Sequence, residues 1–261
     1  MLHESIQGSF LNDLERSKHL LLLMKGFKEF ASTKVPDALS KEEIEWQSAI
    51  TLHAAASTVR TDLPILAGSI QLYICGRFEY FVRELVGAVA DGLVASCKSA
   101  EELPEVMRKT LRTKTMEVAL NPRRYGYDQH EADLFLLALS KLISPGANEE
   151  NWDISSEILT LTESNMNQRT LVDLFRRVGI ENIWQEVGKQ TKIKIYFSQK
   201  NDSPSNAQKE LDTIMSERNA IAHPTGETSF PDTDKVLGYI EYFKLISGIL
   251  VESTELATLA S

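Results

Sequence analysis

Cysteine is nearly missing from this 261-residue chain, which has only Cys75 and Cys97. Neither has companion histidines at metal spacing. A disulfide framework and a cysteine zinc site are therefore excluded, and the two read as small buried thiols in a reducing compartment. Glycine (13) and proline (8) are sparse, so collagen-like and low-complexity character are excluded, and no Pro/Gly/Ser-rich linker divides the chain. Long hydrophobic runs are absent as well. The longest purely aliphatic stretch, Leu20–Met24, is far short of the ~20 residues a membrane helix requires. The opening Met-Leu-His-Glu-Ser has no basic region followed by an apolar run, so no secretory signal is expected and the chain reads as cytoplasmic. Positive charge is also in short supply: 28 Lys and Arg against 37 Asp and Glu give a net charge of −9. A basic coat for nucleic acid is excluded, whereas a local basic cleft is not.

What is present is an ordinary globular composition, 43% apolar and 25% charged, with helical periodicity almost throughout. Ile6, Phe10, Leu14 and Leu21, followed by Phe27 and Phe30, trace one amphipathic helix. Val35-Pro36-Asp37 breaks it, and Ser40 with Glu43 forms a capping-box signature for a second helix through Trp46, Ile50 and Val59. Pro64 opens the most hydrophobic element, which runs to about Cys97 and is expected to be central. Further helices are expected at Glu101–Val118, Glu131–Ile143, Gln168–Val178, Ile180–Val187, Ser203–Ala222 and Thr233–Leu256, with a surface loop at Gly146–Asp153. Lys192–Phe197 fits either a short strand or an irregular turn. The expectation is an all-α, multi-helix bundle, with 1–60 as a helical pair packed on 61–261 in a single domain.

One segment speaks about chemistry. Ala207, Leu211, Ile214, Arg218 and Ile221 recur at gaps of four and three, so Arg218 occupies a slot in an apolar seam. A guanidinium there needs an anion, because burial without one costs several kcal/mol. Asn219 and His223 lie one turn apart on a second line, with about 140° around the axis separating Arg218 from His223. Pro224 disfavours helical backbone at His223, which is therefore expected at the helix end. An always-charged phosphate partner, an amide and a titratable group thus fall within six residues. Arg124 and His130 form a second Arg-to-His spacing, but a tyrosine-glycine-tyrosine loop lies between them. A helix cap at His223 and a carboxylate partner for Arg218 remain the alternative.

Arg218-Asn219-Ala220-Ile221-Ala222-His223 resembles the Arg-x4–6-His signature of the HEPN superfamily, and most closely its RiboL-PSP-HEPN-like branch. Gly76-Arg77-Phe78-Glu79-Tyr80-Phe81-Val82-Arg83-Glu84-Leu85 is similar to that branch's earlier helix, with its Phe-Glu-x-Phe core. The likeness covers roughly residues 60–255, and Pro224 stands where many relatives carry glycine. The resemblance implies a helical bundle that dimerises through the motif helices. It also implies a metal-independent endoribonuclease of a toxin–antitoxin or antiphage defence system, with Arg218, Asn219 and His223 at its centre. Glu79 is a supporting residue for Arg218 or His223, or else part of a structural ion pair. RNA contacts are expected from Arg108, Lys109 and Arg112, with Lys114 on the same helix, and from Arg123 and Arg124 beside Tyr125 and Tyr127.

The expected partners are RNA, a second copy of the chain, and a cognate antitoxin or regulatory protein; no membrane and no cofactor are expected. No metal site is expected either. His130-Glu131-x-Asp133 lacks the second histidine of a zinc helix, and Asp232-Thr233-Asp234 reads as a helix N-cap. A non-catalytic HEPN interaction or sensing module and an unrelated helical adaptor are the competing functional classes.

Overall fold

The computed structural model describes residues 2–34, 47–59, 61–144, 154–197 and 203–260. The expected break at Val35-Pro36-Asp37, the Ser40/Glu43 box, Trp46 and the 146–153 loop lie outside these residues. The described residues form eleven α-helices and two 3-10 turns, with no strand among them. The helices are α1 (Leu2–Ser32), α2 (Gln47–Val59), α3 (Leu63–Ser96), α4 (Glu105–Leu120), α5 (Gln129–Ile143) and α6 (Ser156–Thr160). They continue with α7 (Gln168–Arg177), α8 (Ile183–Lys189), α9 (Thr191–Tyr196), α10 (Ser203–Ala222) and α11 (Thr233–Ala260). The fold is all-α.

Packing divides the chain into two units whose segments alternate. Unit 1 takes 1–9, 78–215 and 245–261; unit 2 takes 10–77 and 216–244. The helices α1, α3, α10 and α11 each contribute to both.

In unit 1, Phe78, Phe81, Val82 and Leu85 of α3 are buried with Met107 and Leu111 of α4 and Leu174 and Phe175 of α7. Each such side chain contributes about 1.5–3 kcal/mol of burial. Arg177, only 8% exposed, ties the short helices together. Its Nη1 donates to the carbonyls of Leu159 (2.8 Å) and Leu161 (2.7 Å), and its Nε and Nη2 donate to Asp173 at 3.1 and 2.5 Å. The helix α7 ends at Gly179, which has φ 87°. Gly179 N–H donates to Arg176 and Ile180 N–H to Phe175, both at 2.9 Å, the paired bonds of a Schellman ending that only glycine adopts without strain.

In unit 2, three ion pairs link α1 to α11: Glu15 with Lys244, Lys18 with Glu241 at 3.1 Å, and Lys25 with Asp234 at 2.9 Å. As the position rises along α1 it falls equally along α11, which makes the two helices antiparallel neighbours. Exposed pairs of this kind contribute at most about 1 kcal/mol each; the packing beneath them matters more. The rings of Phe10 and Phe243 meet edge to face with centroids 6.4 Å apart, and Leu14, Leu21, Ile74 and Ile240 are fully buried. Arg77 of α3 reaches Asp13 at 2.5 Å, where the Tyr73 hydroxyl also donates, at 3.0 Å.

Three local differences from the sequence reading have physical causes. Pro104 forces Leu103 into extended backbone (φ −62°, ψ 146°), so the helix expected from Glu101 becomes a 3-10 turn, Ala100–Glu102, followed by α4 from Glu105. Asp128 and Glu131 form a reciprocal capping box, which starts α5 at Gln129 rather than Glu131. The segment read as a short strand or irregular turn, Lys192–Phe197, is instead helical over 191–196, because the Gln190 carbonyl accepts the Ile193 and Lys194 N–H at 3.1 and 3.3 Å. Only one face is covered, with Ile193 buried and Ile195 65% exposed. Of the two cysteines, Cys75 is buried and Cys97 half-buried.

Candidate active site

The helix α10 supplies the motif residues. Its seam positions Ala207, Leu211, Ile214 and Ile221 are all buried, while Arg218 in the same seam is half-buried. The guanidinium Nη1 of Arg218 donates to the Asn219 side-chain oxygen at 3.3 Å. The helix ends at Ala222, and the His223 N–H still donates to the Asn219 carbonyl at 3.0 Å. Pro224 has no N–H to offer and stops the series. Asn219 and His223 are exposed.

Unit 2 holds the loop after His223 at several points. Thr225 N–H donates to the Thr228 hydroxyl at 2.7 Å, and Thr228 N–H donates back to the Thr225 carbonyl at 3.1 Å. Pro231 is buried, and the Asp232 carboxylate accepts the Lys235 N–H at 2.8 Å, the N-cap its sequence suggested. One residue before Arg218, Glu217 accepts from both Lys235 Nζ and the Tyr239 hydroxyl at 2.6 Å. This clamp fixes the end of α10 to the start of α11. The spacing of Lys235 and Tyr239, one turn apart, hints that a single acceptor could serve both, but sequence periodicity does not say which. Gly68 of α3 lies under this region, where a β-carbon would stand 2.8 Å from Phe230 and 3.4 Å from Ile221.

Glu79 lies in unit 1, half-buried, and its carboxylate accepts the backbone N–H of Met166 at 3.3 Å. It therefore has a structural partner ahead of α7.

The basic residues fall into two groups, both in unit 1. Arg108, Lys109 and Arg112 line a groove of about 610 Å³ between the start of α4 and the end of α5, together with Glu101, Glu105, Leu142, Ile143 and Ser144. Arg108 Nε donates to the Leu103 carbonyl at 3.2 Å. Arg123 and Arg124 line a separate recess of about 540 Å³ with Tyr127. In that second group Arg124 pairs with Glu163 at 2.6 Å, and the Tyr125 hydroxyl donates to Glu163 at 3.0 Å. The Tyr125 bond, then Arg124 and Lys114, hold the Glu163 carboxyl below its ordinary range despite an opposing effect of burial. Tyr127 meets Phe135 edge to face, with centroids 4.9 Å apart, and burial above all raises its hydroxyl's pKa.

A family model described as RiboL-PSP-HEPN matches residues 37–257. No curated protein and no solved structure matches the chain.

Proposed function

Since the chain belongs to the RiboL-PSP-HEPN family, we propose that it is a metal-independent endoribonuclease that acts as a homodimer, a toxin or antiphage defence effector. The cell's RNA is its substrate, and a cognate antitoxin or regulatory protein controls it. No helix among the described residues is long and apolar enough to cross a membrane, and the proposed location is the cytoplasm.

The observation that carries this reading is the grouping of Arg218, Asn219 and His223 at the C-terminal end of α10, with Asn219 and His223 exposed. RNA carries its own nucleophile. A base removes the 2′-hydroxyl proton, O2′ forms a bond to phosphorus, and the bond from phosphorus to O5′ breaks as an acid protonates that oxygen. The products are a 2′,3′-cyclic phosphate and a 5′-hydroxyl. The step needs one base, one acid and positive charge on the phosphorane. One motif has one histidine; an isologous dimer joined through the motif helices supplies two histidines and two arginines. In this assignment His223 of each copy moves a proton and Arg218 neutralises the phosphorane. Asn219 orients Arg218 through the bond it already accepts, or donates its amide N–H to the phosphate. Glu79 is given no part in the step; its observed bond is to the Met166 N–H.

The test is cleavage of total cellular RNA by the purified protein in EDTA, wild type against His223→Ala, with product ends assayed for cyclic phosphate. Cleavage by the wild type alone, leaving cyclic ends, is the expected result. Equal cleavage by both proteins, or none by either, overturns the proposal in favour of a non-catalytic family module.

A further inference from the structure

The groove in unit 1 between the start of α4 and the end of α5 has charges sorted along its length. Glu101, in the 3-10 turn, and Glu105, in the first turn of α4, occupy one end. Their place is explained by the helix alone, since acidic groups complement the N-terminal end of its dipole. Arg108, Lys109 and Arg112 follow on the next two turns, where the dipole gives them nothing. Arg108 and Arg112 stand four apart and Lys109 and Arg112 three apart, and like charges at those spacings repel on a helix surface. Among the described residues, no carboxylate pairs with Lys109 or Arg112 within 4 Å. Arg108 is tied to the Leu103 carbonyl and Glu105 stands four residues before Lys109, but the mutual repulsion of the three cations remains, and a bound anion relieves it. The opposite wall is apolar, with Leu142 buried and Ile143 half-exposed. At about 610 Å³ the groove lies within the range of ligand-binding clefts.

We propose that this groove seats a short single-stranded RNA segment, its phosphates on Arg108, Lys109 and Arg112 and a base or ribose against Leu142 and Ile143. The assignment rests on the endoribonuclease reading for its choice of polyanion. Arginine's planar fork suits phosphate oxygens, and the aliphatic wall accepts any base without selecting among them. Glu101 and Glu105 repel phosphate and end the path, so the groove takes two or three phosphates rather than a long tract. Arg124, already bound to Glu163, is not part of it. RNA grip thus resides in unit 1, on residues separate from those that carry the chemistry.

The experiment is fluorescence anisotropy with a labelled 2′-O-methyl single-stranded oligonucleotide, which cannot be cleaved by transesterification. Binding to the full chain is measured between about 50 and 200 mM salt. Each single-strand phosphate neutralised contributes about 0.7 to the slope of log affinity against log salt. The Arg108→Gln/Lys109→Gln/Arg112→Gln variant is therefore expected to lose about 2 from that slope and at least tenfold in low-salt affinity. Glu101→Gln/Glu105→Gln is expected to bind more tightly than wild type at low salt, so the proposal stays testable if the triple variant does not fold. An unchanged slope in a folded triple variant, no oligonucleotide binding by wild type, or equal displacement by poly-glutamate overturns it. Because the probe is uncleavable, binding here stands or falls separately from the His223 cleavage test.

Discussion

A β-carbon on Gly68 would stand 2.8 Å from Cδ1 of the Phe230 ring, so the loop that follows His223 packs directly on bare α3 backbone. Gly68→Ala sets two effects against each other. Alanine gains about 0.5–1 kcal/mol in a helix interior, while overpacking costs about 1–3 kcal/mol. The net expectation is destabilisation. Gly76→Ala, on the same helix but with nothing within 4 Å of its β-carbon, should instead gain up to about 1 kcal/mol. Urea midpoints of the two variants check this; equal midpoints would show that the ring steps aside at no cost.

Arg177 is expected to be the most stability-sensitive charged residue of unit 1. Arg177→Met leaves the carbonyls of Leu159 and Leu161 without their donor, at an expected cost of about 2–4 kcal/mol. Asp173→Asn should cost under about 1 kcal/mol, because that side chain is well exposed. Chemical denaturation of the pair separates the backbone role from the ion pair. Comparable losses would place the main stabilisation in the ion pair instead.

Acid should act on the Tyr125–Glu163 contact. The folded-state pKa of Glu163 is lowered, chiefly by the Tyr125 hydroxyl, so the native state holds fewer protons than the unfolded chain as pH passes down through the glutamate range. The stabilisation is present above the unfolded value and lost as pH falls through the folded one. Tyr125→Phe should move the Glu163 titration midpoint upward in a carboxyl-detected NMR titration. A midpoint that does not move would assign the lowering to Arg124 and Lys114.

For the proposed cleavage, His223→Ala is expected to lower kcat by about 10²–10⁴ and Arg218→Ala by about 10²–10³. Single-turnover rates of the two variants make the comparison, and a rate equal to wild type in either would remove that residue from the reaction.

The parts of the molecule legible in sequence were those with several helical turns to repeat a pattern. Both ends of α10 follow from its seam and from Pro224, and Asp232 announced the cap of α11. The short elements carried too little periodicity. Ile193 and Ile195 alternate like a strand in a helix of six residues, and α6 is a single turn whose partner, Arg177, is 16 to 18 residues away in sequence. Of the candidate site, Arg218, Asn219 and His223 were singled out by their spacing together with the family resemblance. The Glu217 clamp and the Phe230–Gly68 contact could not, because each joins segments that only the fold brings together. The pairing of Arg124 with Glu163 was equally out of reach, because two elements lie between them in sequence.

Unit 2 is assembled from 10–77 and 216–244, with all of 78–215 inserted between them in the chain. Its motif is therefore not a portable cassette. A graft of 216–244 into another scaffold would leave behind Gly68 and the α1 residues that pair with Lys244, Glu241 and Asp234. A contiguous piece long enough to include both segments must carry the groove between α4 and α5 as well. Recombination can shorten or decorate such a chain at its loops, but it can pass on the Arg218–His223 end of α10 only together with the helices on both sides of the insertion.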